Sequence, residues 1–246
     1  MILAVIPARY GSTRFPGKPL TDLHGQSLIQ RTYGAIEGMG LVDQIVVATD
    51  DARIADHVIG FGGRAVMTAA DHPTGTDRVA EAARAFPKAE LVVNLQGDEP
   101  FIRSDQIGPL LAAFQDPTVA VATLAAPVAD EHALLSPNVV KVVRGHQSRA
   151  LYFSRHAIPY LRDVPVGRWI EQGKHLQHVG VYAFRAEVLQ ELTQLKPADL
   201  EQDEMLEQLR WLSAGYAIHV AVTDRPSLGV DTPADLEEAR RRFSGR

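Results

Sequence analysis

The chain contains no cysteine, which excludes disulfides, thiolate-bound zinc and a cysteine nucleophile. Oxygen, nitrogen and hard cations are left to carry any chemistry. It also lacks a long hydrophobic run. Residues 1–6 are apolar, but Pro7, Arg9 and Arg14 interrupt the stretch before it reaches the length of a bilayer span or a signal-peptide core. A cytoplasmic protein with no membrane partner is therefore expected. Positive charge is not in excess: 25 Lys and Arg against 30 Asp and Glu give a formal charge of -5. That balance argues against a nucleic-acid partner while leaving room for a local cation cluster around an anionic ligand. Repeats, low-complexity tracts and long linkers are lacking as well. The 246 residues, 46% hydrophobic and 22% charged, therefore read as one globular domain spanning 1–246.

What is present is an alternation of short β-branched runs with helix-length segments. Residues 2–6, 45–49, 91–95 and 119–124 read as strands, and their apolar residues are consecutive, as in a parallel sheet covered on both faces. Residues 28–36, 52–61, 78–86 and 105–114 have the length of crossover helices. The expected fold class is α/β, Rossmann-like, with a mostly parallel central sheet and helices on both faces. Texture changes at 139–143 and 150–153, two strands around a tight turn, so a small antiparallel annex is expected at about 139–184. Residues 178–184 read as a further strand. Met205, Leu206, Leu209 and Leu212 give a helical stripe over 202–214, and strand character resumes at 218–222.

Ligands of such sheets bind beyond the carboxyl ends of the strands, and the loop after the first strand is suited to that role. Gly11 and Gly17 would let backbone N–H groups approach a ligand, while Arg9, Arg14 and Lys18 bring positive charge for phosphates or a carboxylate. The loop matches neither the dinucleotide fingerprint nor the P-loop. Asp98 follows the buried run 91–95, and Asp231 follows Gly229-Val230. Paired carboxylates at strand ends suit magnesium, which takes oxygen ligands and is usually held by one or two carboxylates plus substrate phosphates. Spacing alone reads Asp98 equally well as a turn residue before Pro100. At Asp231 the competing role is a helix cap, but Thr232, Pro233 and Asp235 fill the cap, first and third helical positions and leave the Asp231 carboxylate free.

The ordered blocks Ile6-Pro7-Ala8-Arg9-Tyr10-Gly11-Ser12-Thr13-Arg14, Pro16-Gly17-Lys18-Pro19-Leu20, Val47-Ala48-Thr49-Asp50, Gly75-Thr76-Asp77-Arg78 and Asn94-Leu95-Gln96-Gly97-Asp98-Glu99-Pro100 carry a resemblance. Further blocks extend it: Pro137-Asn138-Val139-Val140-Lys141-Val142-Val143, Ala150-Leu151-Tyr152-Phe153-Ser154-Arg155, Ile158-Pro159, His178-Val179-Gly180-Val181-Tyr182, the stretch from Glu204 to Arg210, and Gly229-Val230-Asp231-Thr232-Pro233. Together they span nearly the whole chain and resemble the 3-deoxy-manno-octulosonate (Kdo) cytidylyltransferases. The opening loop marks sugar nucleotidyltransferases in general, whereas the later blocks mark this branch.

The resemblance implies transfer of CMP from CTP to the anomeric hydroxyl of the sugar acid, giving CMP-Kdo and pyrophosphate for lipopolysaccharide synthesis. It implies CTP contacts from Ala8, Arg9, Ser12, Lys18, Arg78 and Gln96, and Mg2+ at Asp98 and Asp231. Lys18, Arg9, Asp98 and Asp231 would form the catalytic set. Sugar contacts would come from Arg14, Arg155, His178, Tyr182, Glu207 and Gln208, and a homodimer would form through the annex. Each sugar residue also has a plainer role open to it, such as core packing for Tyr182 or a structural carboxylate partner for Arg155. Departures at Gln177 and at Lys196-Pro197-Ala198-Asp199 leave open an 8-amino or sialic-acid-like sugar. A glycosyltransferase that consumes a nucleotide-sugar and a silent nucleotide binder are the more distant readings.

Overall fold

In a computed structural model the structure describes residues 1–11, 15–224 and 229–244. The first half runs β1 (Ile2–Ala8), α1 (Leu28–Glu37), β2 (Gln44–Thr49), α2 (Ala52–Gly60), β3 (Ala65–Met67), α3 (Gly75–Ala83), β4 (Leu91–Asn94) and α4 (Ser104–Ala112). There follow β5 (Val121–Pro127), α5 (Glu131–Leu135), β6 (Lys141–Arg144), β7 (Ala150–Ser154), β8 (Leu176–Arg185), α6 (Ala186–Leu192), α7 (Asp199–Glu204), α8 (Gln208–Ser213), β9 (Ile218–Val222) and α9 (Pro233–Ser244). The class is the α/β one expected, with mostly parallel strands, intervening helices and a small antiparallel portion. Contacts divide the described chain into two compact units. The first comprises Met1–Ile107, Arg185–Thr193 and residues 229–244; the second comprises Gly108–Phe184 and residues 194–224.

In the first unit β1 pairs in parallel with β2 on one side and β4 on the other, and β2 pairs with β3. Leu3, Ala4, Val5 and Ile6 are all fully buried, the consecutive burial of a strand covered on both faces. Parallel pairing sets Ala8 against Thr49 and Val5 against Asn94, so the carboxyl ends of β1, β2 and β4 deliver their loops to one edge. Each returning helix has a side-chain start signal. Ser27 accepts from the Gln30 N–H, Asp51 from Arg53, and Thr74 with Asp77 forms a capping box. That box starts α3 at Gly75, three residues before the helix expected from apolar periodicity. At the far end of the chain, Leu23, Leu28, Val230, Leu236 and Ala239 form a buried cluster that fixes α9 beside α1.

In the second unit β5 pairs antiparallel with β8 and parallel with β9, while β6 and β7 form the expected hairpin. The strand expected at 119–124 begins and ends later, at Val121–Pro127. Its pairing with β8 slips between Thr123 and Leu124, so that Thr123 faces Tyr182 while Leu124 faces Val179. This leaves Gly180 and Val181 in a bulge, a local distortion that re-aims the side chains on either side.

The single helix expected over 202–214 is two. Glu204 ends α7, Met205 takes a left-handed conformation at φ 51 and is exposed, and α8 begins at Gln208. The cause lies about fifty residues away. Ser154 Oγ and the Arg155 N–H donate to the Glu204 carboxylate, and the Arg155 guanidinium donates to the Glu204 and Met205 carbonyls. Carbonyls that would have continued the helix are thus satisfied from outside it. Among the described residues no helix is long and apolar enough to cross a membrane.

Candidate active site

The edge defined by β1, β2 and β4 carries a cluster of charges in the first unit. Lys18 begins a short 3-10 turn after Gly17, whose φ of 71 and closeness to the Tyr10 ring leave no room for a side chain. A Cβ on Gly17 would lie 3.2 Å from that ring. The Gly17 N–H donates to the Tyr10 carbonyl at 3.0 Å. That corrects the expectation that it approaches a ligand; Gly17 shapes the loop and so sets where Lys18 stands.

The Lys18 ammonium donates to Asp98 Oδ2 at 2.5 Å and to Asp231 Oδ1 at 3.1 Å. Asp98 reaches this point from the loop after β4. Asp231 reaches it because the Val230 N–H donates to the Asp98 carbonyl at 2.8 Å, which ties the two carboxylate-bearing loops together. The competing cap role at Asp231 is taken as the sequence indicates. Thr232 and Asp235 exchange hydrogen bonds, and Asp235 also receives the Asp231 N–H. Burial works to lower the Lys18 pKa, but the charges and hydrogen bonds of Asp98 and Asp231 outweigh it and raise the ammonium above its ordinary value. Lys18 is therefore a permanent cation bridging two carboxylates.

These groups border a cavity of about 280 Å³ that also takes in Ala8, Arg9 and Gln96. An adjoining cavity of about 370 Å³ shares Pro7, Ala8, Arg9 and Gln96 and adds Asp50, Arg78 and the start of α3 at Thr74-Gly75. Residues expected to meet the nucleotide thus lie on one continuous cleft, with an N-terminal helix turn at its end, a favourable place for anions. Arg78 has other partners there: its guanidinium donates to Thr68 Oγ1 at 2.6 Å and lies 3.1 Å from Asp50 Oδ1. Asp50 lines this cleft without having been singled out from the sequence, although its place beyond β2 repeats that of Asp98 beyond β4. Ser12 and Arg14 lie outside the described residues.

The second unit holds the other cluster. The His178 and Tyr182 rings are 5.3 Å apart, and Tyr182 meets the Trp211 ring edge-on at 5.1 Å. Burial pushes the His178 imidazole down to about 3, so it is neutral. Burial, with the charge of Glu207, pushes the Tyr182 phenol up. Gln208 is buried, and its amide nitrogen has no hydrogen-bond partner among the described residues. A buried unpaired donor of this kind is costly unless a ligand satisfies it. Arg155 stands apart in role. Its guanidinium is spent on the backbone carbonyls of Pro137, Glu204 and Met205, a structural use, though not the carboxylate pairing expected as the alternative.

Lys141 was a motif residue without a role. It is fully buried, and its ammonium donates to the carbonyls of Ser136, Val139 and Arg155 at 2.9, 2.5 and 2.6 Å. Its position in an apolar strand was the only signal.

A cationic loop facing one carboxylate beyond β4 and another just before α9, on an α/β fold, is the arrangement of a nucleotidyltransferase. A family model described as cytidylyltransferase matches residues 3–218. Curated relatives named 3-deoxy-manno-octulosonate cytidylyltransferase include those of Syntrophobacter fumaroxidans, 49% identical over 96% of this chain and 94% of that one, and Bacteroides thetaiotaomicron, 47% identical over 99% and 98%. A solved CMP:2-keto-3-deoxy-manno-octonic acid synthetase complexed with CTP is 44% identical, with a TM-score of 0.92 over 99% of this chain and 98% of that one. A cytidylyltransferase from Leptospira borgpetersenii, 16% identical with a TM-score of 0.64 over 100% of this chain and 87% of that one, shares the fold. The chain belongs to the cytidylyltransferase family, in the branch of the 3-deoxy-manno-octulosonate cytidylyltransferases.

Proposed function

We propose that the protein transfers CMP from CTP to the anomeric 2-hydroxyl of Kdo, forming CMP-Kdo and pyrophosphate, and so supplies activated sugar for lipopolysaccharide. The observation that carries this reading is the meeting of Lys18, Asp98 and Asp231 at the mouth of the Arg9 and Gln96 cleft, in a chain similar to Kdo cytidylyltransferases along its length. The sugar hydroxyl oxygen forms a bond to the α-phosphorus, the bond from that phosphorus to the bridging oxygen breaks, and pyrophosphate leaves as the hydroxyl proton is lost. The chain needs no nucleophile of its own.

The obstacle is charge, since a sugar carboxylate must approach a triphosphate whose leaving group gains negative charge. Lys18 and Arg9 oppose that charge from one wall of the cleft, and the N-terminal turn of α3 opposes it from the other. Asp98 and Asp231 converge on the position that the Lys18 ammonium holds in this structure, and with that ammonium turned to the phosphates their oxygen donors would suit Mg2+. When bound there, Mg2+ would neutralise phosphate charge and lower the hydroxyl pKa. Neutral His178, Tyr182, Glu207 and Gln208 supply the polar groups for the sugar hydroxyls. Arg78 acts on the nucleotide side through the wall it forms with Asp50 and Thr68.

We infer in addition a cytoplasmic homodimer joined through the annex. Leu151 and Tyr160 stand exposed there, at 63% and 72%, and sedimentation of the wild type against Leu151→Glu tests it.

The test of the reaction is pyrophosphate release with Mg2+ from CTP, UTP, GTP or ATP, each paired with Kdo, its 8-amino analogue or N-acetylneuraminate. Release from CTP with Kdo supports the proposal. Release from CTP with another sugar acid alone corrects the substrate, and silence with every pair overturns the reading.

A further inference from the structure

We infer that Thr123 is a positioning residue: it fixes the tautomer of His178 so that the bare Nδ1 lone pair accepts a hydroxyl hydrogen of the sugar acid. The inference rests on the sugar-transfer reading for the identity of the ligand and for its place beside His178. Its basis is a count of hydrogens at one buried oxygen.

Thr123 Oγ1 lies 2.8 Å from the Val181 carbonyl and 3.0 Å from His178 Nε2. The Val179 carbonyl is farther, at 3.4 Å. A hydroxyl has one hydrogen to give and two lone pairs to receive. If that hydrogen went to Nε2, two oxygens without a hydrogen between them would face each other at 2.8 Å, a repulsive contact. The arrangement that satisfies both contacts sends the Thr123 hydrogen to Val181 and has Nε2–H donate to Thr123.

A neutral imidazole carries one ring hydrogen, so Nδ1 is then an acceptor. Among the described residues no group bonds to Nδ1. The ring cannot escape the assignment by rotating freely, because Phe153 packs edge-on at 5.1 Å and Tyr182 lies at 5.3 Å. Nor can it escape by taking a second proton, since burial keeps the ring neutral. The β5–β8 bulge makes the device possible. By displacing Gly180 and Val181 it brings the Val181 carbonyl within reach of the Thr123 hydroxyl. A sugar hydroxyl is a donor able to meet a lone pair in this cluster, whereas the sugar carboxylate, an acceptor, is turned away from this atom.

The experiment is two-bond 1H–15N NMR on the full chain labelled with 15N-histidine, with the His178 signals assigned by their absence in His178→Gln. Wild type and Thr123→Ser should show Nε2 protonated and Nδ1 bare. Thr123→Val, of the same shape without the acceptor, should shift the signals toward the other tautomer. The KM for Kdo should rise about tenfold in that variant, the loss of roughly one neutral hydrogen bond, with CTP affinity unchanged. Wild type with Nδ1 protonated, or Thr123→Val with an unaltered tautomer, overturns the inference. So does an altered tautomer with the KM for Kdo unmoved. If Thr123→Val does not fold, the wild-type and Thr123→Ser spectra still decide the tautomer. A wild type with the expected tautomer that ignores Kdo in the substrate panel brings down the transfer reading alone, so the two failures are distinguishable.

Discussion

Lys18 and Asp98, eighty positions apart in the chain, meet as an ion pair with Nζ 2.5 Å from Oδ2, and the same ammonium reaches Asp231. One lysine therefore bridges both carboxylates and balances one of their two charges. Asp98→Asn removes the closer charge with little change of shape, so pyrophosphate release should fall by roughly 10²-fold or more while the circular dichroism spectrum stays that of wild type. Near-normal turnover would remove Asp98 from the catalytic set. Lys18→Met should lose activity by a similar factor, since it takes away a cation facing the triphosphate and leaves two carboxylates to repel each other.

The second cluster should separate sugar from nucleotide. His178→Ala and Gln208→Ala remove polar groups whose neighbours are other residues of the second unit, whereas Arg9, Lys18 and Gln96 line the cleft of the first. The KM for Kdo should rise about tenfold or more in each variant, while CTP binding measured by calorimetry stays within about twofold of wild type. Equal loss of both affinities would show that these residues hold the fold and not the sugar.

Much of the first unit could be read along the chain because its signals are local. The apolar runs that became β1, β2 and β4 are buried on consecutive positions, and Thr232, Pro233 and Asp235 announce their own helix start and leave Asp231 to Lys18. What escaped the reading depends on distant partners. The break at Met205 is imposed by Arg155, and no feature of the helical stripe itself reports it. Asp50, beyond β2, shares Arg78 of α3 with Thr68, beyond β3. Thr123 acquires its role only through a two-residue slip against β8, which alternation within either strand cannot show.

Lys141 illustrates how a residue without a catalytic role can support the cluster. Its ammonium gathers three carbonyls, from the loop before β6 and from Arg155 after β7, inside a region closed to water. Lys141→Met keeps the length of the side chain but strands those carbonyls, at a cost of about 3 kcal/mol. Urea unfolding should show a lower midpoint with an unchanged slope, and the surviving folded protein should keep its CTP affinity. A midpoint equal to that of wild type would mean that the carbonyls find other donors.

The last prediction concerns acid. Arg210 and Glu201 form a two-pronged pair at 2.7 and 2.6 Å, with side chains only 9% and 13% exposed, and it joins α7 to α8 across the Met205 break. Burial works to raise the Glu201 carboxyl, but the hydrogen bonds and charge of Arg210, with the Ala198 N–H, outweigh it and hold the carboxyl below the ordinary glutamate value. A carboxyl lowered in the folded state binds its proton less readily there than in the unfolded chain. Its contribution to stability is therefore complete above the ordinary glutamate range and is lost as pH falls through the folded value. Glu201→Gln should cost about 3 kcal/mol at pH 7, because it leaves a buried guanidinium without its counter-charge. The same substitution should cost progressively less as the pH is lowered below the ordinary glutamate range, where the unfolded chain takes up this proton before the folded one does. Chemical unfolding of both proteins from pH 7 to pH 3 measures the difference directly, and two curves that stay parallel to pH 3 would show that the pair does not link folding to this proton.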